Sequence, residues 1–336
     1  MPMNVIMYFT LFLVCCSIFV NGWTDAPNAI ATVVSTRVMH PKAAIMMGAF
    51  FNFLGVFLMG TAVAATTASI ISVSSGSEGL VTLASAQLAI VLWAVSAWRY
   101  GIPTSESHAL IAGLMGAGMS LNGFAALNFV SIGKVFWGLG ISVLVGLVAG
   151  YFGTKLVSFL FRGMNRRKAN TFFSRGQLVS AMLMAFAHGA QDGQKFMGVM
   201  VLVLIVGGVI VPGAGPMVIP VWIMILASAI MAFGTSIGGY RIIKTMGMDM
   251  VKLEKYQGFT AELIASVSLL LATYMGVPLS TTNSKATAMM GAGASKGISR
   301  VDWGIAKEMI AAWVLTFPAC MLLGYVFAIL IRAILL

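Results

Sequence analysis

Four of the nine acidic residues, Asp25, Glu106, Asp192 and Glu262, sit in mainly apolar surroundings. Carboxylates in such surroundings are costly and are usually kept for function. Two of them end related motifs, Gly22-Trp23-Thr24-Asp25 and Gly189-Ala190-Gln191-Asp192. Asp25 is followed by Asn28, and Asp192 by Gln194 and Lys195. Carboxylate and amide oxygens are hard ligands suited to a small cation, so Asp25, Asn28, Gln191, Asp192 and Gln194 form a candidate cation set. Helix capping, or pairing with Lys195, is the plainer reading of these acids, but it does not explain their duplication. A second pair of motifs suggests an anion. Gly101-Ile102-Pro103-Thr104-Ser105-Glu106-Ser107-His108 and Gly276-Val277-Pro278-Leu279-Ser280-Thr281-Thr282-Asn283 each place Pro and a hydroxyl run where a helix starts. A helix N-terminus offers free N–H groups and the positive end of its dipole. Two such tips meeting would hold an oxyanion, with Thr104, Ser105, Ser107, Ser280, Thr281 and Thr282 as hydroxyl donors and Lys195 as a cation.

The elements that carry these residues follow from composition. Of 336 residues, 60% are hydrophobic and 9% charged, which excludes a soluble domain, a coiled coil and a disulfide scaffold. A membrane helix needs about 20 apolar residues, so this chain has enough for about ten spans. Charge-free stretches cover 1–24, 43–77, 79–98, 107–133, 135–154, 196–240, 263–284 and 309–331. Pro212-Gly213-Ala214-Gly215-Pro216 divides the sixth of them. The expected fold is all-α and polytopic, with 10–12 membrane segments, some broken, and two re-entrant-type hairpins. The net charge of +11 is concentrated in loops. Residues 162–175 hold five Lys/Arg and no acid, which reads as a cytoplasmic loop or a lipid-binding patch. Residues 241–255 read as an ordinary connection, and Trp98-Arg99-Tyr100 as an interface anchor.

The two hairpin motifs lie 175 residues apart. Over 101–118 and 276–293, seven of 18 positions are identical, where chance gives about one. Two related membrane halves are the signature of a transporter. The implied division is a first repeat at 1–160, a basic linker at 161–176 and a second repeat at 177–336. Glu106 and Lys285 break the symmetry, facing Thr281 and Leu110 respectively. Glu106 is a proton carrier, a cation ligand or a structural partner of Lys285. Glu262 aligns with Gln87 and supports a hairpin. His108 and His188 read as packing or hydrogen-bonding residues. Asp25, Glu106 and Asp192 outweigh Lys195 and Lys285 in charge, so an arriving anion needs cations to offset repulsion.

Other chemistry finds little support. Gly293-Ala294-Ser295-Lys296-Gly297 fits a nucleophile-elbow pattern but follows a membrane segment instead of a strand. Cys15, Cys16 and Cys320 form no metal or redox spacing. The N-terminal apolar run continues past Val20 without a small-residue cleavage site, as a first span does. An anion channel would share the helix tips without needing duplicated carboxylates. A membrane enzyme or a sensor would need a nucleophile with its base, or an output domain.

Asn21-Gly22-Trp23-Thr24-Asp25-Ala26-Pro27-Asn28 resembles the N-terminal signature of the inorganic phosphate transporter (PiT) family. His188-Gly189-Ala190-Gln191-Asp192-Gly193-Gln194-Lys195 resembles its second copy, and the two Pro-x-Ser hairpins resemble the family's phosphate-binding hairpins. The chain departs from the family pattern at Thr24, Pro27, Gln191 and Asn283. The resemblance spans nearly the whole chain and implies a bacterial or archaeal inverted-repeat symporter. The substrate would be inorganic phosphate, with sulfate or metal–phosphate as alternatives, and the coupling ion Na⁺ or H⁺; the oxygen-rich set of Asp25, Asn28, Asp192 and Gln194 favours Na⁺, while Glu106 keeps H⁺ open. Na⁺ would sit at Asp25, Asn28 and Asp192, and phosphate would contact Ser105, Ser107, Ser280, Thr281 and Thr282. It further implies a homodimer in the plasma membrane among lipid, a PhoU-like cytoplasmic regulator, no other cofactor and no nucleic acid.

Overall fold

The computed structural model describes residues 1–211, 213 and 217–336, and among these the chain is almost wholly helical. The first seven helices are α1 (Met3–Thr24), α2 (Pro27–Ser35), α3 (Pro41–Leu58), α4 (Ala62–Ala68), α5 (Ser77–Tyr100), α6 (Glu106–Asn122) and α7 (Phe129–Leu160). The next seven are α8 (Arg166–His188), α9 (Gln194–Val206), α10 (Val221–Ile237), α11 (Tyr240–Lys244), α12 (Lys255–Tyr274), α13 (Thr281–Ala294) and α14 (Trp303–Leu335). Among the described residues, seven helical runs are long and apolar enough to cross a membrane. An eighth is counted if α10 and Tyr240–Asp249, bent by 67°, are one span. That is fewer than run length suggested, because α4 and α13 are too short to cross and α8 and α9 join into one run. The proposed break at Pro212–Pro216 lies, apart from Gly213, outside the described residues; α9 ends before it and α10 begins after it.

The two sets of seven helices make matching contacts. α6 packs on α14, and α13 on α7. α4 packs on α9 and α11 on α2, while α1 crosses α10 and α8 crosses α3. The match extends where the sequences no longer align. An antiparallel bridge joins Ile71 to Leu127, and another joins Val251 to Val301. Just beyond, Asn128 caps α7 and Asp302 caps α14, each through two backbone N–H groups. These pairs lie 174 residues apart in the caps, close to the offset of the hairpins.

The glycine that opens each Asp motif is set by close approach. A Cβ on Gly22 would strike the Met231 carbonyl of α10, and one on Gly189 the Asn52 carbonyl of α3. Gly234 and Gly55 face back across the same two crossings. Backbones therefore touch one turn before each aspartate, which fixes where Asp25 and Asp192 project.

The basic stretch 162–175 is not an open loop, as only residues 161–165 form a turn and the rest is the start of α8. Asn165 caps that start by accepting from Arg167 N at 2.9 Å. With a π turn at Gly189–Gly193, the helix runs unbroken over 41 residues from Arg166 to Val206. At 1.5 Å per residue it is about 60 Å long, twice a ~30 Å hydrocarbon core, so its basic end projects into water. The 241–255 connection is also partly helical, through α11 and a second π turn at Thr245–Asp249. Ser295 lies at the C-terminal end of α13, with its hydroxyl on Ala292 O, so the elbow pattern has no strand–turn–helix setting.

Candidate functional site

Each hairpin ends in a buried, capped helix start. Ser105 Oγ accepts from His108 N at 3.2 Å to cap α6, and Ser280 Oγ accepts from Asn283 N at 3.1 Å to cap α13. The two caps touch each other, Ser105 Oγ donating to Ser280 Oγ at 2.8 Å. Repeat-related His108 and Asn283 also meet, at 3.3 Å. Both helices thus present their first N–H groups at one place, as an oxyanion requires. Ser107 donates to Leu279 O at 3.2 Å, tying the first tip to the second hairpin. Thr104 is buried in the turn, but the bonds at the tip run through Ser105 and Ser107.

The carboxylates converge on this crossing. Thr281 donates to Asp192 Oδ2 at 3.2 Å and approaches Asp25 Oδ2 at 3.4 Å, so one hydroxyl bridges both acids. Thr282 donates to Asp25, and Asn28 Nδ2 donates to Asp25 Oδ1 at 2.5 Å and contacts Thr282 Oγ1 at 3.1 Å. Asn21 Nδ2, one turn before Asp25, donates to Asp192 Oδ2 at 3.2 Å. Thr24 donates to Glu106. Asp25, Glu106 and Asp192 are each at most 2% exposed. Lys195 Nζ donates to Asp192 Oδ1 and Ser107 Oγ at 2.6 Å each and to Leu279 O at 2.5 Å, which uses all three of its protons.

His188 stands between the two aspartates, its Nε2 3.5 Å from Asp192 Oδ2 and 4.0 Å from Asp25 Oδ2. Its Nδ1 lies 3.1 Å from Asn52 Oδ1. Asn52 is held in that sense because its Nδ2 donates to Thr235 Oγ1 at 3.1 Å. Nδ1 therefore carries the proton of the neutral ring, and the Nε2 lone pair faces two carboxylates, an arrangement that calls for a cation. One ligand atom from each of Asp25, His188 and Asp192 lies within 4.8 Å of the others. Asn21 Oδ1, Asn28 Oδ1 and Glu106 Oε2 are buried hard oxygens with no donor among the described residues.

Several expectations change here. Lys285 is not the partner of Glu106. It pairs with Glu262 at 3.3 Å and donates to Thr32 Oγ1 at 2.9 Å, while Glu262 accepts from Ser180 at 2.7 Å and from Thr32. Gln191 spans the second hairpin, donating to Val277 O at 3.1 Å and accepting from Leu279 N at 3.3 Å. Gln194 accepts from Val63 N and donates to Met59 O, both at 2.9 Å, and so holds the turn between α3 and α4. Neither glutamine faces the aspartates through these bonds. Asn21 and His188 turn toward the centre, and the i, i+4 spacing of each to its own aspartate was the available signal.

A helical membrane protein with paired helix tips and paired carboxylates buried at one crossing has the make-up of a solute transporter. A profile of the phosphate transporter family matches residues 21–170 and 161–324. The chain belongs to that family. It is 35% identical to the Bacillus subtilis protein named "Probable low-affinity inorganic phosphate transporter", covering 96% of this chain and 97% of that one. A protein of the same name from Rhizobium meliloti is 38% identical, covering 91% and 90%. Among solved structures, one described as "The sodium-dependent phosphate transporter" shares the fold, with a TM-score of 0.90. Identity is 22%, and coverage is 98% of this chain and 100% of that one.

Proposed function

We propose that this protein moves inorganic phosphate across the plasma membrane by alternating access, coupled to Na⁺ in preference to H⁺. The observation that carries the reading is the contact between the Ser105 and Ser280 caps, beside the carboxylates of Asp25 and Asp192. Because Lys285 is committed to Glu262, among the described residues only Lys195 offsets the centre. With Asp25, Glu106 and Asp192 ionised, its charge is minus two, so phosphate is repelled until cations arrive. The threonine bonds give this coupling an order. Thr281 and Thr282 spend their protons on the aspartates. Cations at Asp25, Asn28, His188 and Asp192 would replace those protons as partners. The two hydroxyls would then turn to the oxyanion, beside the N–H groups of α6 and α13. Lys195, already bridging Asp192, Ser107 and Leu279, joins cation side to anion side. Gln191 and Gln194 act by holding the turns at 276–279 and 59–63.

The same reading takes residues 1–160 and 177–336 as inverted repeats about a basic linker at 161–176 on the cytoplasmic side, assembled as a homodimer. The names of the similar proteins support phosphate as substrate, and the structural neighbour's name supports sodium. The test is radiolabelled phosphate uptake into proteoliposomes under imposed Na⁺ or H⁺ gradients. Accumulation should follow the Na⁺ gradient, and uptake indifferent to both gradients would sink symport. Accumulation against a phosphate gradient also excludes a channel.

A further inference from the structure

A basic feature lies away from the acidic centre. A cleft of about 1020 Å³ opens between the end of α7, the start of α8 and the start of α12. Five cations line it, Arg162, Arg166, Arg167, Lys255 and Lys296, against one carboxylate, Glu254. Glu254 is spent on Lys296 at 2.5 Å, and Lys255 on Ser174 Oγ at 2.8 Å. The guanidinium groups of Arg162, Arg166 and Arg167 have no hydrogen-bond or ion-pair acceptor among the described residues, Arg162 resting only over the Phe159 ring at 4.6 Å. A planar fork of N–H donors matches the oxygens of a phosphate group, which it can bind bidentately. Helix α8 also starts here, capped by Asn165, with its positive end toward the cleft lining.

One face of α2 and its C-terminal cap runs from the centre to the cleft lining. Asn28, Thr32 and Thr36 are spaced by four, and so line up over about 12 Å. Asn28 bonds Asp25 at 2.5 Å, Thr32 accepts from Lys285 at 2.9 Å, and Thr36 donates to Gln177 Oε1 at 3.0 Å while also lining the cleft. In this structure the buried Lys285–Glu262 pair closes the seam midway.

We propose that the cleft is a second oxyanion site, taking the phosphate group of free phosphate or of an anionic lipid headgroup, at the outer end of this closed seam. Its place on the transport route rests on the phosphate reading above; its binding chemistry does not. The volume is many times a water's share of about 30 Å³, so a bound phosphate keeps water around it and exchanges rapidly. The site is accordingly weak and sensitive to salt.

The experiment is equilibrium binding of radiolabelled inorganic phosphate to the full chain in nanodiscs, at saturating Na⁺. Discs of phosphatidylcholine alone are compared with discs containing phosphatidylglycerol. The wild type in neutral discs should show two classes of site, the weaker one lost at high salt. Arg166→Gln with Arg167→Gln, both exposed, should weaken that class about tenfold or more and leave the tighter one unchanged. Ser280→Ala with Thr281→Ala should do the reverse. Loss of the weak class in phosphatidylglycerol discs assigns the cleft to lipid phosphate, and its persistence there to free phosphate. A single class of site, unmoved by the arginine changes, overturns the proposal. A weak class that persists while the Ser280/Thr281 variant leaves all binding intact instead counts against the central reading.

Discussion

The two halves of the chain share a scaffold and differ in charge. Both have a glycine crossing before the aspartate, a serine cap at the hairpin tip, an isolated bridge and an Asx cap on the last long helix. The chemistry departs from the duplication. Asp192 is tied to Lys195, whereas Asp25 is held by neutral donors. Glu262 and Lys285 form a buried ion pair where the first half has Gln87 and Leu110, and both amide atoms of Gln87 lack partners among the described residues. Repetition thus builds the crossing, and the unrepeated residues set its electrostatics.

The largest test separates the two aspartates. Asp25→Asn and Asp192→Asn should each reduce coupled uptake by about 100-fold or more, since each removes a buried charge from the proposed cation set. Their stabilities should differ. Asp25→Asn should unfold near the wild-type temperature in detergent, while Asp192→Asn leaves the Lys195 ammonium buried and unpaired, a cost of about 3–5 kcal/mol. Asp192→Asn with Lys195→Met should recover stability without recovering uptake. Equal unfolding temperatures for the two single variants would erase the asymmetry.

A second test converts one half toward the other. Lys285→Leu should destabilise strongly, because it strands the Glu262 carboxylate at 0% exposure. Glu262→Gln with Lys285→Leu reproduces the Gln87–Leu110 arrangement and should return most of that loss in thermal unfolding. If the double variant is no better than Lys285→Leu, the pair is not acting as a unit. A smaller effect probes the shared scaffold: Gly22→Ala and Gly189→Ala should each cost about 1–3 kcal/mol, since the neighbour in both cases is backbone and cannot swing aside. Comparable losses sharpen the duplication, and a loss confined to one crossing breaks it.

Much of this was legible in the sequence because it is carried by identity at a fixed offset. Pro103 and Pro278, Ser105 and Ser280, and the Met-Gly-Ala-Gly runs announce two equivalent hairpins, and the few acids in apolar runs mark the centre. What could not be read depends on packing between elements. Lys285 finds Glu262 because α13 lies on α12, and no local spacing relates residues 23 apart. Gln191 and Gln194 flank Asp192 in sequence, but the π turn at Gly189–Gly193 alters the helical register and each faces a different turn. The stretch 162–175 reads as a loop because it is charged, yet from Arg166 to Arg175 it contains neither Pro nor Gly, and Asn165 supplies a cap. Charge reports exposure, and an exposed helix meets that condition as well as a loop does.

The smallest effect compares the buried pair with an exposed one. Lys296 and Glu254 meet at 2.5 Å, but their side chains are 39% and 60% exposed, against 0% for both Lys285 and Glu262. The hydrogen bond that Lys296 donates to the Glu254 carboxylate raises its ammonium above the ordinary lysine value. A raised folded-state value means the stabilisation is complete below the unfolded lysine range and is lost as pH climbs through the folded one. Water screens an exposed pair, so its contribution is below about 1 kcal/mol and fades with added salt. Glu254→Gln should therefore shift the unfolding temperature slightly at neutral pH and low salt. It should shift nothing at high salt, or in strong alkali where Lys296 has lost its proton. Lys285→Leu should keep its full penalty at high salt, because no counterion reaches a pair sealed between α2, α12 and α13. A Glu254→Gln effect as large and as salt-resistant as that of Lys285→Leu would show that burial is not what separates the two pairs.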